Sequence, residues 1–523
     1  MRAWLEPTIL IVLAVALFGV MLWSPQFADP DAFYHAKLAQ LIRDQGVVRD
    51  FTWLPYTALA THYADQHFLY HIFLIPFVAF PDPLTGLKIA TVLLGAGFIV
   101  TFFLVARALN LRGAFVASLA LIVSTPFTFR LALAKGNAFA LILLLLVCYA
   151  VFRYRPKLLA ALAFLYPWSH AGFPLALAVT GVFLLASWAV DGLARRTSAQ
   201  QVLHRLFPAW APGPRSSLPH AVTLGVAALG GVVVGLVVNP YFPDNIPFFF
   251  DQFVRIGVIN YQDVIGVGGE WYPYRPLELL TNTIVLTVPL LIAVLAYVLT
   301  FVRQTRRSLA LLLLTLALFL ITVKSRRYVE YYVPIGMLFV VSAFTDAFVR
   351  TSFAALRTRA RRLAGRWRSF IPSTALIVYL LILLPTILAR DLYTEYRDLR
   401  GGFRADQYAG ALAWLAANTP PDAIVVHSDW DEFPVLFYHN DHNRYLAGLD
   451  ATFLYTADRT RYDLWLGITT GRLTVPLRDA LTTLDAQYVF VDADHEAMRR
   501  LVDAEPRAEL VYEDAEARVY AIR

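Results

Sequence analysis

The chain has 523 residues, 58% of them hydrophobic and 16% charged, with a net charge of +7. Soluble domains carry about 25% charged residues, so the composition excludes a soluble globular protein and points to one threaded repeatedly through a bilayer. The positive balance lies mostly in arginines between apolar runs, which reads as membrane topology rather than a nucleic-acid surface. The single cysteine, Cys148, sits inside an apolar run and can form no internal disulfide.

A helix crosses a bilayer with about 20 apolar residues, because every backbone polar group must be satisfied within it. Eleven candidate spans follow in chain order: 5–24, 86–106, 113–130, 137–152, 157–168, 171–190, 219–238, 281–302, 308–323, 331–349 and 371–389. The first is long for a signal peptide and no small-residue cleavage site follows it, so it is read as an uncleaved helix. Alternate loops are basic: Arg107 and Arg112; Arg153, Arg155 and Lys157; Arg195, Arg196 and Arg205; Arg303, Arg306 and Arg307; and seven arginines from Arg350 to Arg368. Placing these loops in the cytoplasm puts the N-terminus inside. It puts residues 25–85, 239–280 and everything after about 390 outside. The apolar segment Phe68–Phe80 is short and broken by Pro76; counting it as a span would invert every later loop, so it is read as a helix lying on the outer face or dipping into it.

Residues 395–523 differ in kind. Charge rises, and short β-type runs appear at Ala423–Val426, Tyr488–Val491, Leu510–Tyr512 and Val519–Ala521, separated by amphipathic stretches such as Tyr408–Ala417 and Leu477–Leu484. That alternation predicts a small α/β domain. The division expected is a helical membrane part, 1–390, and an extracytoplasmic α/β domain, 391–523. A Pro-rich turn, Ala211-Pro212-Gly213-Pro214, falls in a cytoplasmic loop.

The first outer loop opens with Asp29-Pro30-Asp31-Ala32-Phe33-Tyr34-His35 and continues through Ala64-Asp65-Gln66-His67 to Tyr70-His71. Carboxylates and imidazoles are what a divalent cation or a general base requires; the plain alternative is a solvated acidic turn. Two clusters of cations break the positive-inside pattern at outer helix ends: Arg130 with Lys135, and Lys324-Ser325-Arg326-Arg327-Tyr328 followed by Glu330. Charges at membrane depth tend to be functional, and the arginine fork matches phosphate oxygens, although snorkelling to headgroups is the competing explanation. The loop 239–280 carries Gly266-Val267-Gly268-Gly269-Glu270-Trp271, where glycines loosen the backbone beside an acid. His170 falls between two spans. In the C-terminal part, His427-Ser428-Asp429-Trp430-Asp431-Glu432-Phe433 follows a strand, where α/β domains place ligand groups or where Asp429 simply caps the next helix.

Together these residues resemble the GT-C superfamily of membrane glycosyltransferases, most closely its oligosaccharyltransferase catalytic subunits. The likeness covers nearly the whole layout: one helix, a large outer loop, a multi-helix core and a C-terminal extracytoplasmic domain. The resemblance implies that Asp31 is the catalytic aspartate, that Arg326 or Arg327 contacts the lipid-linked phosphate, and that Glu270 assists the acceptor by loop rather than by motif. The family's Trp-Trp-Asp-Tyr-Gly signature is imperfectly matched by Asp429-Trp430-Asp431-Glu432-Phe433. The family also implies a divalent metal, Mg or Mn. Here the second outer loop, Arg130–Phe139, offers Lys135-Gly136-Asn137 where the family carries an acidic pair. Asp31, Asp65 and His67 as an alternative ligand set, or a metal-free reaction, both stay open.

The expected protein is thus a polytopic α-helical membrane enzyme. It transfers a sugar or oligosaccharide from a polyprenyl-(di)phosphate to a protein, glycan or lipid acceptor on the outer face. Asp31 and Glu270 are the catalytic candidates, with Arg326, Arg327, Arg130 and Lys135 on the donor phosphate. Asp29, His35, Asp65, His67, Trp430 and Asp431 would contact or support the acceptor. A transporter or flippase of lipid-linked sugars is the alternative; it predicts internal repeats, and none is visible. A non-catalytic scaffold subunit would leave Asp31 dispensable.

Overall fold

A computed structural model of the chain describes residues 2–195, 218–348 and 384–523. Most of the expected span 371–389, the arginine-rich stretch through Arg368, the loop arginines Arg196 and Arg205, and the 211–214 turn lie outside the described residues. Among those described, four helices are long and apolar enough to cross a membrane: Trp4–Leu22, Pro83–Ala108, Arg306–Lys324 and Arg326–Ala347. Two bent pairs raise the number to six: Ala114–Ile122 with Thr125–Ala132, bent by 72°, and Pro276–Asn282 with Ile284–Leu299, bent by 100°. Shorter apolar helices cover Phe68–Val78, Asn137–Phe152, Pro174–Val190 and Val222–Val237. The chain is an integral membrane protein.

The helices that frame the site are α1 (Arg2–Leu22), α2 (Asp31–Gln45), α3 (Phe68–Val78), α4 (Pro83–Ala108), α5 (Ala114–Ile122), α6 (Thr125–Ala132) and α7 (Asn137–Phe152). Helix α4 starts where Asp82 accepts hydrogen bonds from the Leu84 and Thr85 amides and Pro83 presets the first turn. It packs against α1, α3 and α7. The break between α5 and α6 falls just before Pro126, whose missing N–H and fixed φ suit a helix start and not a continuing helix. The resulting bend carries Arg130 inward.

The first outer loop contains more helix than its polar composition suggests. Asp29 accepts a hydrogen bond from the Asp31 amide (3.0 Å), and Asp31 sits in the first turn of α2, where the helix dipole favours a carboxylate. Gly46 ends the helix with a φ of +81°, a conformation that disfavours a side chain. Helix α2 packs on α3 and on the later helix Phe433–His439.

The β-type runs in the C-terminal part form strands. After β1 (Gln26–Phe27) and β2 (Phe403–Arg404) come β3 (Ile424–Val426), β4 (Arg444–Tyr445), β5 (Tyr488–Asp492), β6 (Ala508–Glu513) and β7 (Ala517–Ile522). The last five make one sheet in the order β4-β3-β5-β7-β6, parallel across β4, β3 and β5 and antiparallel across β5, β7 and β6.

This part is tied to the first outer loop at several points. Strand β1 pairs antiparallel with β2, Gln26 opposite Arg404. A side chain at Gly402 would collide with the Phe27 carbonyl, so glycine permits that pairing. Trp53 donates from Nε1 to the Asp441 carbonyl (2.8 Å) and accepts at its own carbonyl from the Tyr445 amide (2.8 Å), and Lys37 pairs with Asp441 at 2.9 Å. A single buried hydrophobic cluster runs from α1 through Phe33 and Phe51 into Phe433, Phe437 and Phe490. On the far side, Arg153 bonds the Ala108 carbonyl and Arg307 the Leu109 carbonyl (2.9 Å) at the end of α4, and Arg303 bonds the Ala347 carbonyl (3.1 Å) at the end of the helix Val329–Ala347.

Candidate active site

A cavity of about 390 Å³ lies where the first outer loop, the bend at α6, the 239–280 loop and the C-terminal part meet. Ten of the sequence candidates line it: Asp29, Asp31, His35, His67, Arg130, Lys135, Glu270, Arg327, Trp430 and Asp431. Two do not. Asp65 is buried in the wall, and Arg326 points away, its Nε donating to the Pro273 carbonyl (3.3 Å) and its guanidinium over the Tyr274 ring.

The polar groups form two linked networks. In the first, the Lys135 ammonium lies 2.6 Å from Asp29 Oδ2 and 2.8 Å from Asp31 Oδ2. Burial would lower the ammonium pKa, but Asp29 and Asp31 outweigh it and raise it. Burial in turn raises the Asp31 carboxyl above its ordinary value, against the pull of Lys135. In the second network, Arg130 donates from Nη1 to Glu270 Oε2 (2.5 Å) and from Nε to Glu330 Oε2 (2.9 Å). Arg327 donates to the other Glu270 oxygen (2.6 Å) and lies over the Trp271 ring. Asn137 also donates to Glu330 Oε2 (2.9 Å). Burial pushes the Glu270 carboxyl up, but Arg327, Arg130 and Lys135 prevail and hold it well below the carboxylate range. It stays ionised with both oxygens engaged. Arg130 Nη2, by contrast, is buried and has no hydrogen-bond partner.

Inward from the lining His35 runs a chain that residue types alone did not show. Asp65 Oδ2 meets His71 Nδ1 at 2.6 Å, and His71 Nε2 shares a hydrogen bond with His35 Nδ1 at 2.7 Å. The other Asp65 oxygen accepts from the His67 amide (2.8 Å). Burial holds the His35 and His67 imidazoles neutral, well below their ordinary pKa. His170 packs against His67, and burial lowers its pKa to about 3.

Asp31, Asp65 and His67 therefore do not form a metal-ligand set. Both Asp65 oxygens face inward to other partners, and Asp31 faces an ammonium. Among the described residues, the one group of three whose ligand atoms all lie within 4.8 Å is Glu432, Asp492 and His495, and none of the three lines the cavity. The metal that the family resemblance implies does not fit the carboxylates of this cavity.

At the end of β3, Asp429 accepts from the Trp430 amide (2.7 Å) and Glu432 Oε2 accepts from the Asp429 amide (3.1 Å), a reciprocal cap. The cap fixes Trp430 and Asp431 against the cavity. Burial first, then Asp429 and Asp29, push the Asp431 carboxyl up to about 7. The unfolded chain loses this proton near 3.8. Stability from this residue is thus full below that value and is lost as pH rises through about 7. Asp431→Asn is expected to unfold at a higher temperature than the parent at pH 8, with the gap closing toward pH 4, as read by thermal unfolding in nanodiscs across that range.

No family model and no curated protein matches this sequence. Solved structures do. The archaeal oligosaccharyltransferase AglB from Archaeoglobus fulgidus, in complex with an inhibitory peptide and a dolichol-phosphate, aligns over 100% of this chain and 74% of its own, with a TM-score of 0.65 and 13% identity. ArnT from Cupriavidus metallidurans, bound to undecaprenyl phosphate, aligns over 100% of this chain and 98% of its own (TM-score 0.55, 15% identity). The arabinofuranosyltransferase AftD from Mycobacteria aligns over 100% of this chain and 40% of its own (TM-score 0.54, 15% identity). The chain has the fold of the GT-C membrane glycosyltransferases.

Proposed function

We propose that this chain is a glycosyltransferase that moves a sugar or oligosaccharide from a polyprenyl-(di)phosphate to an acceptor at the outer membrane face. One observation carries the reading: Asp31, whose carboxyl pKa burial raises, and Arg130, whose Nη2 is buried with no hydrogen-bond partner, line the same cavity. The first is suited to take a proton, the second to meet an anion. The neighbours solved with dolichol-phosphate and undecaprenyl phosphate support the donor class. The clustering of loop arginines at helix ends away from the cavity supports an N-terminus inside and the C-terminal part, 391–523, outside; eleven crossings and an α/β domain there are part of the same proposal.

In this mechanism the acceptor hydroxyl or amide gives its proton to Asp31 as it attacks the anomeric carbon. The bond from that carbon to the phosphate oxygen breaks, and the configuration inverts. Negative charge grows on the departing phosphate, where Arg130 and Arg327 stabilise it. Glu270, held ionised by two guanidinium groups, orients them and is a poor base. Trp430 and Asp431 border the acceptor side; His35, His67 and Asp65 keep that wall rigid. Mass spectrometry of cells with and without the gene tests the function. Loss of a glycan product together with a build-up of polyprenyl-linked sugar is expected; unchanged levels of both would refute the reading.

The two adjacent arginines should separate cleanly. Arg327→Ala is expected to weaken binding of undecaprenyl phosphate by more than tenfold, as a charge-assisted hydrogen bond of about 1.5–3 kcal/mol is lost. Arg326→Ala should change it less than twofold. Ligand-induced thermal shifts in nanodiscs read both.

A further inference from the structure

We infer that Lys135 is the resident cation of this site: its ammonium occupies the place between Asp29 and Asp31 where a divalent metal would bind. The inference rests on Asp31 being the catalytic carboxylate, and its test does not depend on that role.

The geometry is that of a filled ligand position. Two carboxylate oxygens from residues two apart converge on one nitrogen, at 2.6 Å and 2.8 Å. Lys135 has only 10% of its side chain exposed, so it does not swing freely into solvent. The segment carrying it is fixed on both sides. Its amide bonds the Leu133 carbonyl (2.7 Å), and Asn137, two residues on, is tied to the buried Glu330. Between them Gly136 lies so close to His67 that an added Cβ would sit 2.6 Å from Nδ1. That ring is itself packed against His35 and His170. Glycine at 136 is therefore what lets the backbone come near enough for the lysine to reach both aspartates.

The substitution has a chemical effect. Divalent cations such as Mn²⁺ are held by carboxylate oxygens, and Asp29 and Asp31 would be such ligands if they were free. A compact ammonium is a strongly hydrated point charge with three donors, able to bridge both acids. It carries one positive charge rather than two, so the acid pair keeps a net negative charge and Asp31 keeps more basicity than a metal-bound carboxylate. A divalent ion approaching the same oxygens would be repelled by the ammonium already there.

Mn²⁺ titration of the full chain in lipid nanodiscs, followed by the electron paramagnetic resonance of free Mn²⁺, tests this without donor or acceptor. The quantity read is the binding that Asp29→Asn with Asp31→Asn removes. In the wild-type chain that difference is expected to be zero. Lys135→Ala is expected to gain about one Mn²⁺ per chain, and adding the two asparagines should abolish it. Binding at Glu432, Asp492 and His495 would be common to all variants and cancels. A wild-type chain that binds Mn²⁺ through Asp29 and Asp31 overturns the proposal, as does a folded Lys135→Ala that gains no site. Should Lys135→Ala fail to fold, the wild-type comparison decides alone. Because no transfer is measured, a negative outcome here leaves the glycosyltransferase reading to its own experiment.

Discussion

Asp31→Asn is expected to lower sugar transfer by about 10²–10⁴-fold, the usual contribution of a positioned general base, while binding of undecaprenyl phosphate changes by no more than a few-fold. Asparagine preserves the shape at the first turn of α2 and can still meet the Lys135 ammonium through its carbonyl oxygen. The backbone bond from the Asp31 amide to Asp29 is untouched, so the helix start should survive. What is lost is a basic oxygen on the cavity wall. In the proposed mechanism donor binding relies on Arg130 and Arg327, which belong to the network centred on Glu270 and not to the one holding Asp31. Single-turnover transfer and equilibrium binding on the same preparation separate the two effects. A flippase would translocate donor equally well with either residue, so an unaffected variant would refute the enzymatic reading, while a loss confined to transfer would refute the flippase.

The extent to which this site was legible from sequence depends on how each residue reaches the cavity. Asp29 and Asp31 stand out because they are acids just past an apolar span, and Arg130 and Lys135 because they are cations at the wrong helix end. Both signals are local. The choice between Arg326 and Arg327 is not: neighbours in a single helical turn face different ways, and only packing against Trp271 and Glu270 turns Arg327 inward. Trp430 and Asp431 enter the cavity through contacts that span most of the chain, the β1–β2 pairing and the Trp53 bonds, which no periodicity reveals. The Asp65–His71–His35 chain arises from the packing of α2 on α3, with partners 36 positions apart between His35 and His71. Read as a list of residue types it looks like a ligand set. In three dimensions it is a wall. Helix α2 escaped notice for a similar reason: its polar sequence suits an outer loop, and its buried face is defined by elements folded far away.

Glu330 marks the remaining gap between sequence and site, and carries the second large effect. It followed the Lys-Ser-Arg-Arg run in the sequence without a role of its own. In the structure it is fully buried, in the first turn of the helix Val329–Ala347, where the helix dipole favours its charge. It accepts from Arg130 Nε and Asn137 Nδ2 on the same oxygen. Arg130 thus pairs with Glu330 and shares Glu270 with Arg327, and its Nη2 has no hydrogen-bond partner. Glu330→Ala removes one of the two carboxylates at a fully buried position. Breaking a buried ion pair from one side costs up to about 3–5 kcal/mol where the surviving charge is left uncompensated, and here Glu270 alone would remain to answer both Arg130 and Arg327. The unfolding midpoint in nanodiscs should therefore fall by several degrees. Arg130 would be drawn wholly onto Glu270, and transfer should fall by more than tenfold even at temperatures where the variant is folded. Glu330→Gln keeps an oxygen for Arg130 and the volume of the side chain, so it should lose less stability than Glu330→Ala while still weakening undecaprenyl phosphate binding. If Glu330→Ala melts with the parent and transfers at its rate, then Arg130 is not held by this carboxylate, and the cavity's anion-binding side must be built some other way.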